Sequence, residues 1–363
     1  MKQKHRIIAI HLPQFHPFKE NDEWWGKGFT EWRNVAKARP RFLGHYQPHL
    51  PADLGFYDLR VPETRDEQAK MAREHGIYGF CYYHYWFNGK LLMERPLEDM
   101  LKSNIPDFPF MLCWANENWT RAWDGGEKEI LIEQKYSEED DLKHIQYLLR
   151  YLKDPRYIRV NNKPVLCIYR STILPNLEKT IEIWRTEALR EGIELYICRF
   201  ESFRETGQEF IKKGIDAAID FPSHGDKEYY KGKYIVRRSI NKLYRKIRGK
   251  NLFPSIESYR KYVKFQIKRS MPLYIWYPCA TPMWDNSPRR KDNTYFAFRD
   301  STPELFGIWL GKIIESFKPY SDEENFIFIN AWNEWAEGNH LEPDMKWGSR
   351  YLNEIKKIKE NEI

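Results

Sequence analysis

Two glutamates, Glu334 and Glu337, stand three residues apart in a segment that also contains two tryptophans. Side chains at this spacing share one face of a helix or turn, with Cβ atoms about 5–6 Å apart. Carboxyl groups so close push their pKa values apart, so that one can hold a proton while the other accepts one. The spacing fits a retaining reaction at a sugar carbon, where the two groups stand about 5–5.5 Å apart, better than an inverting one. An ordinary exposed glutamate pair on a helix surface has the same spacing. The surrounding sequence must therefore decide between a catalytic pair and an exposed one.

The elements that would position these glutamates alternate between strand and helix. Each predicted strand is a near-continuous apolar run, as expected of parallel strands buried on both faces. The strands are predicted at Ile7–His11, Gly79–Tyr83, Phe110–Trp114, Val165–Tyr169, Leu195–Arg199, Ala217–Asp220, Leu273–Pro278 and Phe326–Asn330. The helices are predicted at Thr64–His75, Ser137–Lys153, Leu177–Glu191, Pro303–Phe317 and Tyr351–Glu360. Eight such strands predict a closed (β/α)8 TIM barrel of the α/β class.

In such a barrel the active site lies at the carboxyl ends of the strands. Polar and aromatic side chains collect directly after the predicted strands, as a saccharide pocket requires, and Glu334 and Glu337 follow the eighth strand. The candidate substrate-binding residues are His11, Gln14, Trp32, His84, Trp86, Trp114, Asn116, Glu117, Trp119, Tyr169, Arg199, Trp284, Asp285, Asn333 and Trp335.

The composition agrees with a sugar-binding pocket without requiring one. Aromatic residues make up 16% of the chain, with 14 Trp and 23 Tyr. Flat rings with a polar handle bind ligands that are part apolar and part polar, but they also fill ordinary cores. The five cysteines form no CxxC pair, and they are interpreted as buried free thiols in a reducing compartment.

Several other chemistries lack their sequence motifs. The chain has no Walker A loop, no GxGxxG turn, no GxSxG nucleophile elbow and no DxD triplet. Histidines could ligate a metal together with Glu117 or Glu342, but no HExxH or comparable spacing occurs. We therefore expect no cofactor and no metal.

One segment differs in charge from the rest of the chain. Residues 231–270 contain 14 Lys or Arg and a single acid, for a local charge of +13, whereas the whole chain is +7. We interpret residues 1–363 as one barrel domain with this basic insertion between the sixth and seventh strands. Val236, Ile240, Leu243 and Ile247 fall at helical spacing within it, among basic residues. Such a helix either packs on the barrel as a solvated element, or lies on anionic lipid or holds a phosphate group. Nucleic acid is the weakest interpretation, because no binding motif accompanies the charge.

Several motifs together resemble the WbsX family, a group similar to glycoside hydrolase family 99 that occurs in bacterial polysaccharide loci. The resemblance covers most of the chain outside the basic insertion. The motifs are Ile10–Pro17, Gly28–Trp32, Pro48–Pro51, Gly79–Trp86, Trp114–Glu117 and Asn333–Gly338.

The resemblance implies a barrel and, through the related endo-α-mannosidases, a retaining mechanism without a metal. One glutamate removes the proton from the sugar's own 2-hydroxyl, which attacks the anomeric carbon and forms a 1,2-anhydro sugar. The other protonates the leaving oxygen. Carried onto this sequence, Glu334 is the base and Glu337 the acid, which later activates the acceptor.

Three functions follow as hypotheses. The first is an enzyme that acts on an α-mannoside-like or deoxysugar unit of a bacterial surface polysaccharide, such as O-antigen of lipopolysaccharide or capsule. The second is a glycosyltransferase with an activated donor, and the third is a non-catalytic glycan-binding assembly protein. The expected partner is an oligosaccharide or a lipid-linked saccharide. No signal-peptide core or membrane span is recognised, so we expect a cytoplasmic location, with peripheral contact at the inner face of the membrane as an alternative.

Overall fold

The barrel strands are formed by apolar runs that are buried along nearly their whole length. We describe a computed structural model, in which residues 4–121, 126–201, 205–222, 229 and 235–361 are described. The strands are β1 (Arg6–His11), β2 (Gly79–Phe87), β3 (Phe110–Trp114), β4 (Lys163–Ile168), β5 (Tyr196–Glu201), β6 (Ala217–Asp220), β7 (Trp276–Tyr277 and Cys279–Ala280) and β8 (Phe326–Ile329).

All eight strands pair in parallel in one sheet that closes on itself. The order runs from Trp276–Tyr277 through β6, β5, β4, β3, β2, β1 and β8 to Cys279–Ala280. Pro278 divides β7, because it has no N–H for the ladder. The residues before it pair with β6 and the residues after it pair with β8, so that this one strand closes the barrel. The predicted (β/α)8 barrel is therefore confirmed.

Helices surround this barrel. They are α1 (Lys19–Trp25), α2 (Trp32–Lys37), α3 (Pro62–Glu74), α4 (Arg95–Ser103), α5 (Glu138–Leu152), α6 (Leu177–Arg190), α7 (Gln208–Ile211), α8 (Ile235–Arg248), α9 (Tyr259–Gln266), α10 (Pro303–Ser316) and α11 (Arg350–Glu360). The five predicted helices are confirmed within two residues at each end as α3, α5, α6, α10 and α11. Side-chain caps explain several starts: the Ser137 hydroxyl accepts the N–H of Asp140 at 3.1 Å, and the Asn176 carbonyl accepts that of Lys179 at 3.1 Å.

Two predicted strands differ from the observed ones in a way that matters for the site. β2 continues to Phe87, four residues beyond the predicted end. The predicted strand Leu273–Pro278 begins only at Trp276 and continues beyond the proline. Local apolarity predicted neither boundary, since pairing with neighbouring strands decides where a strand stops.

The basic segment 231–270 has two different halves, and residues 231–234 lie outside the described residues. In the second half, Ser255–Ser258 pairs in parallel with Phe296–Arg299, and α9 buries Tyr259 and Tyr262. In the first half, α8 leaves its apolar stripe exposed. The exposed fractions are 73% for Val236, 41% for Ile240, 63% for Leu243 and 69% for Ile247. The apolar stripe of α8 therefore does not pack on the barrel, whereas Asn241 on the same helix is buried and bonds to the backbone of Leu252 and Phe253. Among the described residues, no helix is long and apolar enough to cross a membrane.

Candidate active site

A cavity of about 230 Å³ opens at the carboxyl ends of the barrel strands. Aromatic side chains form its walls and carboxylates lie at its base, a combination that binds ligands with apolar faces and many hydroxyls. It is lined by Tyr83, Tyr85, Ala115, Glu117, Asn118, Trp119, Thr120, Tyr169, Phe221, Trp284, Arg289, Asn330, Glu334 and Glu337.

A short hairpin after β8 presents the two candidate catalytic glutamates to this cavity. Asn333–Glu334 pairs antiparallel with Asn339–His340, and a single 3₁₀ turn, Trp335–Glu337, connects the two strands. Gly338 ends the turn in the left-handed region, with φ of 51°. A Cβ at this position would lie 3.0 Å from Cβ of Asp285, so both conformation and space require glycine.

Arg289 lies at the centre of the charged base of the cavity. Its guanidinium bonds to three carboxylates: Nε lies 2.5 Å from Oε1 of Glu31, Nη2 lies 3.2 Å from Oε2 of Glu334, and Nη1 lies 2.6 Å from Oε1 of Glu337. The planar fork of arginine suits several carboxylates at once, which a lysine could not hold in the same geometry. Arg289 therefore fixes the two candidate catalytic side chains relative to one another.

The three carboxylates and one guanidinium leave this cluster short of positive charge. Burial, opposed by Arg289 and assisted by the charges of Glu337 and Glu31, raises the pKa of Glu334 to about 8. The protonation of Glu334 is therefore coupled to the charges of Arg289, Glu337 and Glu31. Perturbed carboxyl groups in a cleft are typical of catalytic sites.

Asp285 holds the Arg289 loop against the glutamate hairpin. Its Oδ1 accepts the N–H of Ser287 at 2.9 Å, at the start of the 3₁₀ turn that carries Arg289. Its Oδ2 accepts hydrogen bonds of 2.6 Å from His45 and from Gln47, and its backbone N–H donates to the carbonyl of Glu337 at 2.6 Å. Although burial opposes ionisation, the bonds from His45 and Gln47 hold the pKa of Asp285 below its usual range. Asp285 thus positions both sides of the cluster.

The cavity brings together six of the residues predicted for the site, namely Glu334, Glu337, Glu117, Trp119, Tyr169 and Trp284. Glu117 forms an ion pair of 2.7 Å with Arg170, and its side chain is 37% exposed. Trp119 stands edge-on to the ring of Tyr85, with centroids 5.2 Å apart. These side chains place a flat aromatic surface and a carboxylate acceptor in the same cavity.

Four predicted residues point away from the cavity into the layer between strands and helices. Alternate side chains of a barrel strand face opposite sides, and β2 sends Tyr83 and Tyr85 into the cavity. His84 and Trp86 therefore face α5, where they stack on His144. Trp114 packs against the same histidine. His11 bonds instead to Gln68 of α3 at 3.2 Å.

Four more predicted residues support the cavity from behind. Gln14 donates to Glu31, and Trp32 packs on Trp335 with ring centroids 5.5 Å apart. The Nε1 of Trp335 donates to Glu342 at 2.6 Å. Asn333 bonds to both backbone groups of Leu12, at 2.8 and 3.0 Å, and thereby ties the hairpin to the end of β1.

The last two predicted residues also bond to protein groups rather than line the cavity. Asn116 exchanges bonds of 2.9 and 2.8 Å with the backbone of Arg170. Arg199 is buried, and its Nε donates to Ser171 at 2.8 Å.

Several side chains at the cavity and its base were not predicted from the sequence. Arg289 follows an apolar strand by nine residues, in a basic Pro-Arg-Arg sequence typical of an exposed loop. Tyr83 and Tyr85 could have been found by applying the two-residue alternation to β2. Glu31 does not line the cavity; it belongs to the motif Gly28–Trp32, and only the fold shows that it bonds to Arg289, 258 residues away.

The fold and the cavity define the class: a (β/α)8 barrel whose strand ends carry an acidic, aromatic-walled pocket of the kind that acts on carbohydrates. The family follows from comparison with known sequences. The sequence model described as Glycosyltransferase WbsX matches residues 7–355, and the chain therefore belongs to the WbsX family. The resemblance stated from the motifs is confirmed.

Curated relatives include the WxcX proteins of two strains of Xanthomonas campestris pv. campestris. Each is 40% identical over 348 residues, which is 95% of this chain and 48% of the relative. The chain thus spans about half the length of the curated relatives it matches.

Solved structures show the same fold. The GH99 endo-α-mannosidase from Bacteroides thetaiotaomicron, in a complex with BIS-TRIS-propane, is 14% identical with a TM-score of 0.61, covering 99% of this chain and 98% of that one. A protein described as glycoside hydrolase-like is 13% identical with a TM-score of 0.56, covering 98% and 94%. At these identities the likeness concerns the fold.

Proposed function

We propose that this chain cleaves or transfers an α-linked, mannose-like or deoxy sugar with retention of configuration, in the assembly of a bacterial surface polysaccharide such as O-antigen or capsule. One observation carries the proposal: Glu334 and Glu337 are held by the same guanidinium at the base of an aromatic-walled cavity. Sugar identity is suggested by the fold shared with endo-α-mannosidases, and polysaccharide assembly by the family.

In the proposed reaction Glu334 accepts the proton of the sugar 2-hydroxyl as that oxygen attacks the anomeric carbon. The bond from the anomeric carbon to the leaving oxygen breaks, and Glu337 gives that oxygen a proton. The product is a 1,2-anhydro sugar. Water or an acceptor hydroxyl then attacks the anomeric carbon and gives its proton to Glu337, while Glu334 returns its proton to the 2-oxygen. Two inversions at one carbon give net retention.

The positions of the two side chains support this division of roles. Glu334 is the deeper one, with 12% of its side chain exposed against 20% for Glu337. A group that meets first the leaving oxygen and then an incoming hydroxyl must be reachable from the cavity mouth, which favours Glu337. The raised pKa of Glu334 makes its carboxylate a stronger base once it is ionised.

Transfer is the second candidate, favoured by the family's description as a glycosyltransferase. The same anhydro sugar opened by another sugar's hydroxyl extends a glycan instead of releasing one. An activated donor would supply the first glycosyl group in this case.

The deciding experiment supplies α-linked oligosaccharides, free and lipid-linked, with and without acceptor, and follows products by mass spectrometry and NMR. We expect products of retained configuration, and no turnover of a matched substrate that lacks the 2-hydroxyl. Free sugar in water identifies a hydrolase, and an extended glycan identifies a transferase. Normal turnover of the 2-deoxy substrate would overturn the anhydro mechanism. Glycan binding without turnover would replace the enzyme by a binding protein.

A second part of the proposal concerns α8, which we assign to an anionic lipid surface. Its exposed apolar stripe, Val236, Ile240, Leu243 and Ile247, runs along a helix with Lys242 and Lys246 exposed beside it. Apolar side chains that enter the headgroup region and cations that meet lipid phosphates are the two terms that hold such a helix at a bilayer. A lipid-linked saccharide would then be presented at the same surface.

A further inference from the structure

Behind the glutamate hairpin, three buried side chains converge from two segments that are far apart in the sequence. His49 precedes α3, whereas His340 and Asp344 follow the hairpin, and all three are at most 5% exposed. The two rings approach each other closely, with Nδ1 of His49 only 3.0 Å from Nε2 of His340. Oδ2 of Asp344 lies 3.8 Å from that same Nε2.

In each ring, one nitrogen faces the other histidine and the second, outer nitrogen faces a backbone carbonyl. The partner of that outer nitrogen shows which of the two carries the hydrogen. Nε2 of His49 faces the carbonyl oxygen of Tyr46 at 3.1 Å, and Nδ1 of His340 faces the carbonyl oxygen of Glu342 at 2.9 Å. A carbonyl oxygen only accepts, so in the neutral rings these outer nitrogens must be the N–H donors. The two nitrogens that face each other therefore both carry lone pairs. They cannot form a hydrogen bond with one another.

Asp344 adds a third acceptor to the same point. Its Oδ1 accepts the N–H groups of Lys346 and Trp347, at 2.9 and 2.6 Å, whereas its buried Oδ2 makes no hydrogen bond of 3.5 Å or less among the described residues, although the phenol of Tyr46 interacts with the carboxylate. A buried carboxylate oxygen left unpaired is costly unless a cation meets it.

From this convergence we propose a buried site for a divalent transition metal of the zinc type, ligated by Nδ1 of His49, Nε2 of His340 and Oδ2 of Asp344. Imidazole nitrogen and carboxylate oxygen suit Zn²⁺, whose tetrahedral ligand nitrogens stand about 3.3 Å apart for bonds of about 2.05 Å. The observed 3.0 and 3.8 Å lie on either side of that value. The backbone carbonyls behind both rings are the outer partners that metal-bound histidines usually have.

The surroundings give the metal an entry path and a structural role. His49 and Tyr46 line a second cavity, of about 280 Å³, which gives solvent a route to the cluster. His340 stacks on Trp335 with ring centroids 3.7 Å apart, and Trp335 lies in the turn between the two catalytic glutamates. A metal here would fasten the hairpin to the loop before α3. This inference does not depend on the proposed reaction.

The test measures metal binding by the full chain after its affinity tag is removed and bound metal is stripped with a chelator. We expect one Zn²⁺ per chain by titration calorimetry and elemental analysis, together with a higher unfolding temperature. Substitution of a ligand, as in D344N or H340Q, should weaken binding by at least about tenfold. Zinc binding by the wild-type chain that is no tighter than that of both variants would overturn the proposal.

Two controls separate a metal site from a hydrogen-bonded cluster. Tyr46 stacks on His49 and lies beside Asp344, so Y46F tests whether the phenol, and not a metal, stabilises the carboxylate. His84 and His144 form another buried pair with ring nitrogens 3.0 Å apart, but among the residues that the structure describes they belong to no such cluster. Y46F and H144Q should both keep the zinc affinity. If the ligand variants do not fold, the wild-type chain with Co²⁺ decides, because the absence of a visible ligand-field spectrum displaceable by Zn²⁺ would also overturn the site.

Discussion

Nη2 of Arg289 lies 3.2 Å from Oε2 of Glu334, an ion pair that joins the loop after β7 to the loop after β8. Both partners are nearly buried, so the pair is screened little by solvent. Removing either one leaves a charge without compensation in a site of low polarity. The cluster therefore couples the position of Glu334, its protonation and the stability of the cavity base.

The first prediction concerns the two glutamates. E334Q and E337Q keep the size of the side chains but cannot exchange protons, and each should lower kcat by about 10²–10⁴-fold. E315Q, an exposed glutamate paired with Lys312, should leave turnover unchanged. Turnover by E334Q and E337Q equal to that of E315Q would remove both residues from the mechanism.

The pH dependence follows from the raised pKa of Glu334. As the base, Glu334 must be ionised, so kcat/KM should rise as the pH is raised through about 8. The measurement is kcat/KM from pH 6 to pH 10 with buffers of constant ionic strength. If Glu334 were the proton donor, kcat/KM would fall over the same range, which would exchange the roles of the two glutamates.

Replacement of Arg289 should affect both geometry and protonation. R289K keeps one positive charge but loses the fork that contacts three carboxylates, and we expect about a 10²-fold loss of kcat from misplacement. Because Arg289 lowers the pKa of Glu334, weaker contact should also move the rise in kcat/KM to higher pH. The matched control is R190K, at an exposed arginine that pairs with Glu187. An unchanged pH profile in an active R289K enzyme would contradict the coupling.

Gly338 allows a paired test of backbone strain against crowding. Gly338 and Gly348 have φ values of 51° and 52°, but only at Gly338 would a Cβ meet another residue, Asp285 at 3.0 Å. G348A should therefore lose about 1–2 kcal/mol of unfolding free energy from strain alone, and G338A should lose more. Urea unfolding measures both. Equal losses would show that Asp285 does not crowd the turn.

The lipid assignment of α8 is tested with vesicles of anionic and of neutral lipid. Each lysine near an anionic surface contributes about 1 kcal/mol, so K242E/K246E should reduce binding to anionic vesicles by at least about 30-fold. Leu243→Asn should weaken binding by loss of apolar burial, whereas Ile308→Asn, at an exposed apolar residue of α10, should not. Equal sedimentation of all variants with the vesicles would end this assignment.

The barrel could be predicted from sequence because its signals are local. Apolar runs such as Phe110–Trp114 and capped helices such as Glu138–Leu152 fix the number and order of the elements. The strand ends were less predictable, since β2 extends to Phe87 through pairing with Lys90–Leu92. Because β2 continues, its side chains go on alternating between the two faces beyond Tyr83. Tyr85 therefore enters the cavity beside Tyr83, whereas His84 and Trp86 face the helices.

The sequence by itself determined the barrel and the family and predicted the pair Glu334 and Glu337, because each rests on patterns within short segments of the chain. Only the tertiary structure placed Arg289 between three carboxylates, exposed the stripe of α8, and brought His49 to His340 across 291 positions. Such relations depend on how loops from opposite ends of the chain meet at the closed barrel. The periodicity of a short segment cannot predict these contacts, since closure of the barrel is a property of the whole sheet.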